Sequence, residues 1–360
     1  MNAGTDSMDP ISEWFTRNIV QKPDLKYALE VVLPDGTVRI RTNSDVCLSF
    51  LHERCSQMMG DPSKGQASID VEMFCLADST LPGVSPCGQP VTYDGDFQSI
   101  RDSHMICVWQ SPTLMGATDG TTIRVLATAL NPQISGCLVG GFRLKCATKV
   151  EPPYSDVLDL VWCLYARMFN LVLLHGAVLE KDGQGVLIVG ESGTGKTTTA
   201  LALLRAGFRL LSDEYAVLRK NETGQGEMSG LLVPPMIVGS GLHALSELEQ
   251  TLGIRSTQKT PAVGVITSHA PSAVNVRTVI VLKRPKRRRV NHQASPFASL
   301  ELLPLLMGQV LDPVRSDRMG IVEALSKLVL GVSAYHVIAG RDVGSLPAFV
   351  EDLMDEKGGH

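Results

Sequence analysis

The sequence lacks any apolar run long enough to cross a membrane and any signal peptide near residue 1. Its longest apolar runs fall well short of the roughly 18 residues that a membrane-spanning helix needs. Residues 1–24 are mixed, polar and acidic. The eight cysteines form no CxxC pair, and their scatter favours reduced thiols over a disulfide framework or a zinc site. We therefore expect a cytoplasmic protein that has no membrane partner.

Aromatic and charged residues are also scarce, at 5% and 19% of the chain. The formal net charge is −4, so no overall field attracts nucleic acid or an anionic surface. Hydrophobic residues make up 44% of the chain, which is enough for a buried core, and the length of 360 residues favours two domains over one. The composition argues against a nucleic-acid partner and against a disordered chain.

Residues 1–150 are predicted to form a small α+β module rich in antiparallel strands. Alternating apolar residues flank Asp35-Gly36, which predicts a β-hairpin, and Ser44 is placed to cap a helix. Further strands are expected at 69–76, 105–109, 122–127 and 137–144. No motif here carries recognisable chemistry, and His52 and His104 are interpreted as structural. The module is either a substrate reader or a lid.

The boundary between the two domains is predicted near Glu151-Pro152-Pro153, because paired prolines interrupt a helix or a strand. Residues 151–360 then alternate helices and strands, which predicts an α/β domain. Strands are expected at 171–179, 185–189, 208–212, 276–282 and 334–339. Helices are expected at 155–170, 196–206, 242–252, 296–310, 320–332 and 343–354.

The most informative stretch is Gly185–Arg205, in which an apolar strand, a glycine-rich turn and an amphipathic helix follow one another. The turn matches the Walker A pattern, G-x-x-x-x-G-K-[ST]. Its glycines let successive N–H groups converge on a phosphate, and the helix N-terminus adds a positive partial charge. Lys196 is predicted to reach the β- and γ-phosphates of ATP, and the Thr197 hydroxyl to ligate Mg²⁺. The predicted nucleotide-binding residues are Gly190, Glu191, Ser192, Gly193, Thr194, Gly195, Lys196, Thr197 and Thr198.

Two acids, Asp213 and Glu214, follow the next predicted strand. We expect that strand to neighbour the P-loop strand, which would place Asp213 where a Walker B acid lies. Transfer of a γ-phosphoryl group needs a phosphate cradle, a metal ion and a carboxylate near the incoming hydroxyl. Asp213 is the candidate for that carboxylate; the plainer interpretation is a solvated turn after a strand.

The Walker A turn with its helix, His175-Gly176 and Asp213-Glu214 resemble the HPr kinase/phosphorylase family. The resemblance is most specific over residues 175–218 and is closest to the HPr-kinase-like proteins of peptide natural-product pathways, such as lasso-peptide precursor kinases. It implies a P-loop kinase domain of the HPr kinase/phosphoenolpyruvate carboxykinase type, with a mixed sheet. The smaller α+β domain would precede it.

The resemblance also implies roles for individual residues. Asp213 matches the family's general base toward a serine hydroxyl, and His175 matches the histidine that partners it. Glu214 matches a second acid, which belongs to the metal environment. An Asp–His contact would orient the base and tune its pKa. The expected catalytic residues are therefore Asp213, His175 and Lys196, and the expected metal-binding residues are Thr197 and Glu214.

The sequence departs from this family downstream, where its glycine-rich arginine signature is absent and Gly230–Met236 reads GLLVPPM. The leading hypothesis is an ATP-dependent kinase that phosphorylates a hydroxyl, on a serine of a peptide or protein. One alternative is a nucleotide-dependent regulatory or ATPase module, which the missing signature favours. Another is a kinase for free serine or a sugar alcohol. Homo-oligomerisation is left open.

A basic run, Lys283–Arg289, follows the strand predicted at 276–282 and holds six basic residues of seven. It either binds phosphate and draws an acidic substrate to the site, or it is a solvated loop. The sequence favours neither interpretation. A nucleic-acid role is disfavoured because no aromatic stacking platform surrounds the run.

Overall fold

The computed structural model describes residues 17, 24–33, 36–55, 58, 68–76, 98–102, 105–111, 114–118, 122–128, 137–139, 142–144, 154–219, 226–231, 236–238, 259–261, 273–284, 291–311, 318–340 and 342–356. His104, the helix predicted at 242–252, residues 285–289 of the basic run and the boundary predicted near residue 151 lie outside these ranges. Within them, no helix is both long enough and apolar enough to span a membrane.

The chain divides into two compact units. The first holds Met1–His52, Gly60–Met168 and Asp312–Ser316. The second holds Glu53–Met59, Phe169–Leu311 and Asp317–His360. The division into domains at 150/151 stays a prediction.

The first unit contains a seven-stranded mixed sheet in the order β1-β2-β3-β7-β6-β5-β4. The strands are β1 (Tyr27–Leu33), β2 (Gly36–Thr42), β3 (Ser68–Leu76), β4 (Gln98–Asp102), β5 (Met105–Ser111), β6 (Leu114–Thr118) and β7 (Thr122–Thr128). The predicted hairpin is confirmed by the antiparallel pairing of β1 with β2. Strand β3, however, runs parallel to both β2 and β7, so the sheet is not antiparallel throughout.

The other elements before residue 169 are two helices and a short hairpin. The helices are α1 (Asp45–Cys55) and α2 (Tyr154–Met168), and the hairpin strands are β8 (Cys137–Val139) and β9 (Phe142–Leu144). The single strand predicted at 137–144 is therefore wrong, because the chain reverses within it. The predicted cap is confirmed: the Cys47 N–H donates to the Ser44 hydroxyl at 3.2 Å.

The second unit is built on a nine-stranded mixed sheet, which confirms the predicted α/β class with a mixed sheet. Its strands are β10 (Leu171–His175), β11 (Ala177–Lys181), β12 (Gln184–Gly190), β13 (Arg209–Ser212), β14 (Tyr215–Arg219), β15 (Glu227–Leu231), β18 (Val274–Leu282), β19 (Gln293–Pro296) and β20 (Ser333–Ile338). A separate hairpin pairs β16 (Met236–Val238) with β17 (Lys259–Pro261). The helices are α3 (Lys196–Arg205), α4 (Ser299–Met307), α5 (Arg318–Leu330) and α6 (Leu346–Asp355).

The sheet runs β10-β14-β15-β18-β12-β11-β13, with β20 on β18 and β19 on β20. The P-loop strand β12 pairs in parallel with β18 and antiparallel with β11. The expectation that β13 neighbours β12 is therefore wrong. The hairpin connection from β11 to β12 places β11 between them, since adjacent antiparallel strands need only a tight turn.

The strand predicted at 171–179 is also wrong as a single element. Gly176 breaks it into β10, which pairs with β14, and β11, which pairs with β12 and β13. A Cβ at Gly176 would stand 2.9 Å from the Ile188 carbonyl oxygen, so the chain passes another backbone here with no room for a side chain.

The core of the second unit lies between its sheet and the C-terminal helices. The apolar residues of β12 and β18 are fully or almost fully buried, as expected for strands covered on both faces. Leu302, Leu306, Leu325 and Leu328 of α4 and α5 belong to the same buried cluster. The helix predicted at 296–310 is shorter, because Pro296 pairs with Tyr335 and ends β19. This packing fixes the sheet edge where the phosphate loop begins.

Candidate nucleotide and phosphoryl-transfer site

The Walker A turn has the backbone that its glycines predict. It leaves β12 at Gly190 and enters α3 at Lys196. Gly190, Gly193 and Gly195 have φ angles of 152°, 75° and 103°, a region that L side chains rarely adopt. A Cβ on Gly190 would lie 2.7 Å from the Leu282 carbonyl oxygen, so this position also needs glycine for space.

Helix α3 begins without a side-chain cap in the described structure, and its N-cap residue is Gly195 in the left-handed conformation. The first N–H groups of a helix have no partner within the helix. They carry a positive partial charge and point toward the loop, which is the arrangement that binds phosphate in P-loop proteins.

The Lys196 side chain is folded across the mouth of the loop. It is only 8% exposed, and its Nζ donates to the carbonyl oxygens of Gly190 at 2.8 Å and Glu191 at 3.4 Å. An ammonium group buried this far requires strong acceptors, and loop carbonyls supply them. The charge is thereby held where phosphate oxygens would bind.

Thr197 and Asp213, separated by a helix and a strand in the sequence, are in direct contact. The Thr197 hydroxyl donates to Asp213 Oδ2 at 2.9 Å, and Asp213 is 6% exposed. A hydroxyl has one proton to donate and two lone pairs to offer. Because the proton goes to the carboxylate, the oxygen lone pairs remain for a cation.

Sheet topology explains why Asp213 reaches the loop although β13 and β12 are not neighbours. Both strands are antiparallel to β11, so their carboxyl ends lie at the same edge of the sheet. Arg209 and Glu180 fasten β13 to β11 through a hydrogen bond of 2.8 Å from Nε to Oε2. The Gly183 N–H and then Arg209 hold the pKa of the Glu180 carboxyl below its usual range.

Glu214 is hydrogen-bonded to a residue that no sequence pattern predicts. The Arg54 Nη2 donates to Glu214 Oε2 at 3.3 Å. Arg54 is 4% exposed and belongs to Glu53–Met59, which groups with the second unit. The two residues are 160 positions apart, and no local pattern marks Arg54. Its charge offsets that of Glu214, beside the acid that contacts the loop.

His175 lies at the end of β10, directly opposite Tyr215 in β14. Its backbone N–H donates to the Gln309 carbonyl at 2.8 Å, and the next N–H, of Gly176, donates to the Glu214 carbonyl at 3.2 Å. The structure thus brings the His175-Gly176 backbone to the turn that carries the two acids. The contact of the His175 ring with the Asp213 carboxylate stays a prediction.

Two residues of the basic run lie in the described structure, and both are exposed. Arg284 contacts the Walker A turn: its Nε donates to the Gly193 carbonyl oxygen at 3.3 Å. The parallel pairing of β18 with β12 opposes Leu282 to Gly190 and delivers Arg284 beside the loop. Sequence analysis placed the run after β18 but had no means of pairing that strand with β12.

The donors at this site are of the kind that magnesium selects. A hydroxyl and carboxylate oxygens are hard ligands, and Mg²⁺ is bound through one or two carboxylates together with substrate phosphates. The described residues contain no group of three or more His, Cys, Asp or Glu side chains able to hold a metal alone. The Thr197 hydroxyl and the consecutive acids Asp213 and Glu214 offer oxygens of that kind to an ion that a nucleotide brings with it.

Comparisons with known proteins match the part of the chain that holds the Walker A turn. Residues 167–266 match the family model of the HPr Serine kinase C-terminal domain. The chain carries an HPr-kinase-like segment. That segment includes the Walker A turn, Asp213, Glu214 and His175, whereas Arg54 and Arg284 lie outside it.

Individual relatives match over the same part of the chain. The HPr kinase/phosphorylase of Clostridium kluyveri is 32% identical over 93 residues, which are 26% of this chain and 30% of that protein. The enzyme of the same name from Streptococcus thermophilus is 31% identical over 104 residues, 28% of this chain and 34% of that protein. The chain thus spans about a third of the length of these curated relatives.

Solved structures match as well, one of them across half of this chain. The HPr(Ser) kinase/phosphatase from Coxiella burnetii aligns with 50% of this chain and 92% of its own, at 17% identity and a TM-score of 0.27. At that score the superposition supports no conclusion about this protein.

Proposed function

We propose that the protein is an ATP-dependent kinase that transfers the γ-phosphoryl group of Mg-ATP to a hydroxyl, on a serine of a peptide or protein. The observation that carries the proposal is the 2.9 Å hydrogen bond from Thr197 to Asp213 at the mouth of the Walker A turn. It joins the residue expected beside the metal to the acid expected beside the acceptor.

The chain's own residues have distinct tasks in this reaction. The loop N–H groups and Lys196 bind the phosphates, and Thr197 and Glu214 contribute oxygens toward Mg²⁺. A bound Mg²⁺ neutralises charge on the phosphate oxygens during transfer. Asp213 accepts the proton of the acceptor hydroxyl, and His175 orients Asp213. The acceptor oxygen bonds to the γ-phosphorus as the bond to the β–γ bridging oxygen breaks, and ADP leaves.

Serine as the acceptor is supported by the family whose C-terminal domain model matches residues 167–266. The names of the relatives give HPr, a protein, as their substrate, and this likeness supports a protein or peptide acceptor here. The family's downstream arginine signature is absent from this chain, so HPr itself is one acceptor to test among several.

A second candidate function is a nucleotide-dependent regulatory module with slow ATP hydrolysis. The same missing signature favours it, because no arginine is then assigned to the far side of the transferring group. A kinase of free serine or a sugar alcohol is the third candidate and would use the same phosphate cradle.

Mass spectrometry of acceptors incubated with the protein and Mg-ATP tests the proposal. The acceptors are HPr, a library of serine-containing peptides, free serine and a sugar alcohol. We expect a phosphoryl group on a serine of HPr or of a peptide. Phosphate on a small molecule alone would support the third candidate. Release of ADP and inorganic phosphate, with every acceptor unmodified, would support the ATPase.

A further inference from the structure

The guanidinium of Arg284 lies along the Walker A turn. Nε is anchored on the Gly193 carbonyl at 3.3 Å, and Nη2 occupies the space that a side chain at Gly193 would fill, nearer than real Cβ contacts come. Gly193 itself has a φ of 75°. The left-handed backbone therefore favours glycine here, and the absence of a side chain leaves room for the Arg284 guanidinium.

The position of Arg284 is fixed by the sheet. Strand β18 is buried along its second half and is paired in register with β12 up to Leu282 and Gly190. Only Lys283 lies between that last pair and Arg284. The arginine therefore starts from a rigid strand, although its side chain is exposed. The rest of the run, beyond Arg284, is not needed to place it.

The hydrogen bond to Gly193 involves only Nε, so the guanidinium keeps most of its donors for another acceptor. Arginine has five N–H donors in a planar fork, suited to two oxygens of one phosphate. Within the described residues, the Gly193 carbonyl is the recorded hydrogen-bond partner of Arg284. The remaining donors are carried on Nη1 and Nη2, and Nη2 lies at the turn predicted to cradle the phosphates.

We infer that Arg284 is a nucleotide-binding residue of this site, whose Nη groups bind the same phosphates that the Walker A backbone cradles. The inference rests on the proposed nucleotide site. It assigns the first arginine of the basic run to the nucleotide, and not to recruitment of an acidic substrate. Lys196 and Arg284 then supply positive charge from two different elements, α3 and the end of β18.

The backbone of a Walker A turn cradles the α- and β-phosphates, which ADP and ATP share. Loss of the arginine is therefore expected to weaken both nucleotides, and not ATP alone. Hydrogen bonds between charged groups are stronger than those between neutral groups. Losing the bonds from Arg284 to the phosphates should therefore raise the Kd of each nucleotide by roughly tenfold to a hundredfold.

Isothermal titration calorimetry of the full chain with Mg-ADP and Mg-ATP tests the inference. Arg284→Gln should raise both Kd values by about tenfold to a hundredfold. Arg284→Lys should recover part of the loss, because it keeps the charge without the fork. The matched control is Arg277→Gln, which removes an exposed arginine from the same strand β18 and should leave both Kd values within about twofold.

Thermal unfolding separates binding from a purely structural role. Without nucleotide, Arg284→Gln should melt at nearly the wild-type temperature, and the stabilisation by Mg-ADP should shrink. Equal Kd values for Arg284→Gln and Arg277→Gln would overturn the inference. A second result would also overturn it: Arg284→Lys recovers none of the lost affinity, and both Arg284 variants melt well below the wild type without nucleotide. A wild-type chain that binds neither nucleotide would instead refute the proposed function.

Discussion

The Lys196 ammonium is held by the Walker A turn at the place where phosphate is expected to bind. The ammonium is 8% exposed and is held by two carbonyl oxygens of the loop that it serves. Phosphate oxygens are stronger acceptors for an ammonium than neutral carbonyls, because they are charged. A bound nucleotide would therefore draw Lys196 from the carbonyls onto its phosphates.

Lys196→Ala is expected to abolish ATP-dependent phosphoryl transfer while the protein stays folded. The reason is that Lys196 is a charge partner for the β- and γ-phosphates and not a packing residue. Transfer is measured by mass spectrometry of the acceptor, and folding by circular dichroism. Lys327→Ala, which removes a half-buried lysine paired with Glu323, is the control. Transfer at the wild-type rate in Lys196→Ala would refute the Walker A assignment.

Arg54 is the residue whose removal should be most costly among the charged pairs of the second unit described above. Arg54→Gln leaves the Glu214 carboxylate, whose side chain is 25% exposed, without its partner beside Asp213. Truncating one member of a buried pair costs about 3–5 kcal/mol, and the partial exposure of Glu214 reduces this to about 1–2 kcal/mol.

The melting temperature of Arg54→Gln should accordingly fall by several degrees, at about 2–4 °C per kcal/mol. Arg39→Gln is the comparison, because it removes an arginine that is 46% exposed and bonded to Glu30 at 2.9 Å. Exposed pairs contribute little to stability, so this variant should melt within about 2 °C of the wild type. Equal shifts in the two variants would contradict a buried role for Arg54.

At the scale of elements, strand order determines which residues meet, and strand order is where sequence analysis failed. The hydrophobic pattern predicted α3 to α6 and the strands β12, β13, β18 and β20 within a few residues, but it did not predict β14, β15 or β19. It could not show that β10 and β11 are separate strands on either side of Gly176, because they pair with different neighbours, β14 and β12. It also could not show that β11 separates β12 from β13.

Most residues of the candidate site could nevertheless be proposed from the sequence, because they lie in short consecutive motifs. The Walker A turn and Asp213-Glu214 each occupy consecutive positions, and the chemistry of phosphate binding demands those residue types. Arg54 and the contact of Arg284 with Gly193 were missed because they depend on pairings across 160 and 91 positions.

Strand β15 supports the acids through a glycine that sequence analysis did not single out for this role. A Cβ on Gly230 would meet the Leu211 carbonyl oxygen and the Ser212 Cβ more closely than real Cβ atoms approach such groups. Those residues end the strand that carries Asp213. The backbone cannot give way cheaply there, because Leu211 and Ser212 are buried.

Gly230→Ala should therefore destabilise the second unit by about 1–3 kcal/mol or more, the usual cost of overpacking. Thermal unfolding measures the change. Gly331→Ala is a matched control, since its Cβ would meet nothing nearer than 3.7 Å and should be neutral or slightly stabilising. Wild-type stability in Gly230→Ala would show that β15 is not packed on β13 as described.

In the molecule as a whole, the segment that resembles HPr kinases covers residues 167–266, and the candidate site extends beyond it to Arg54 and Arg284. Asp213 stands at the centre of that site, bonded to Thr197 on one side and followed by Glu214 on the other. The central claim is that its carboxylate acts as a base toward a hydroxyl. The competing assignment is that Asp213 chiefly binds the metal, because it contacts Thr197, the expected Mg²⁺ ligand.

The most direct test is Asp213→Asn, with Mg-ATP affinity and the single-turnover transfer rate measured on the same preparation. Asparagine keeps the shape and a carbonyl acceptor for Thr197 but removes the base. If Asp213 is the base, the Kd for Mg-ATP should stay within about tenfold of the wild type and the transfer rate should fall by about 10²–10⁴, the usual contribution of general acid–base catalysis. Loss of Mg-ATP binding with a nearly unchanged rate at saturation would contradict that role and make Asp213 a metal ligand.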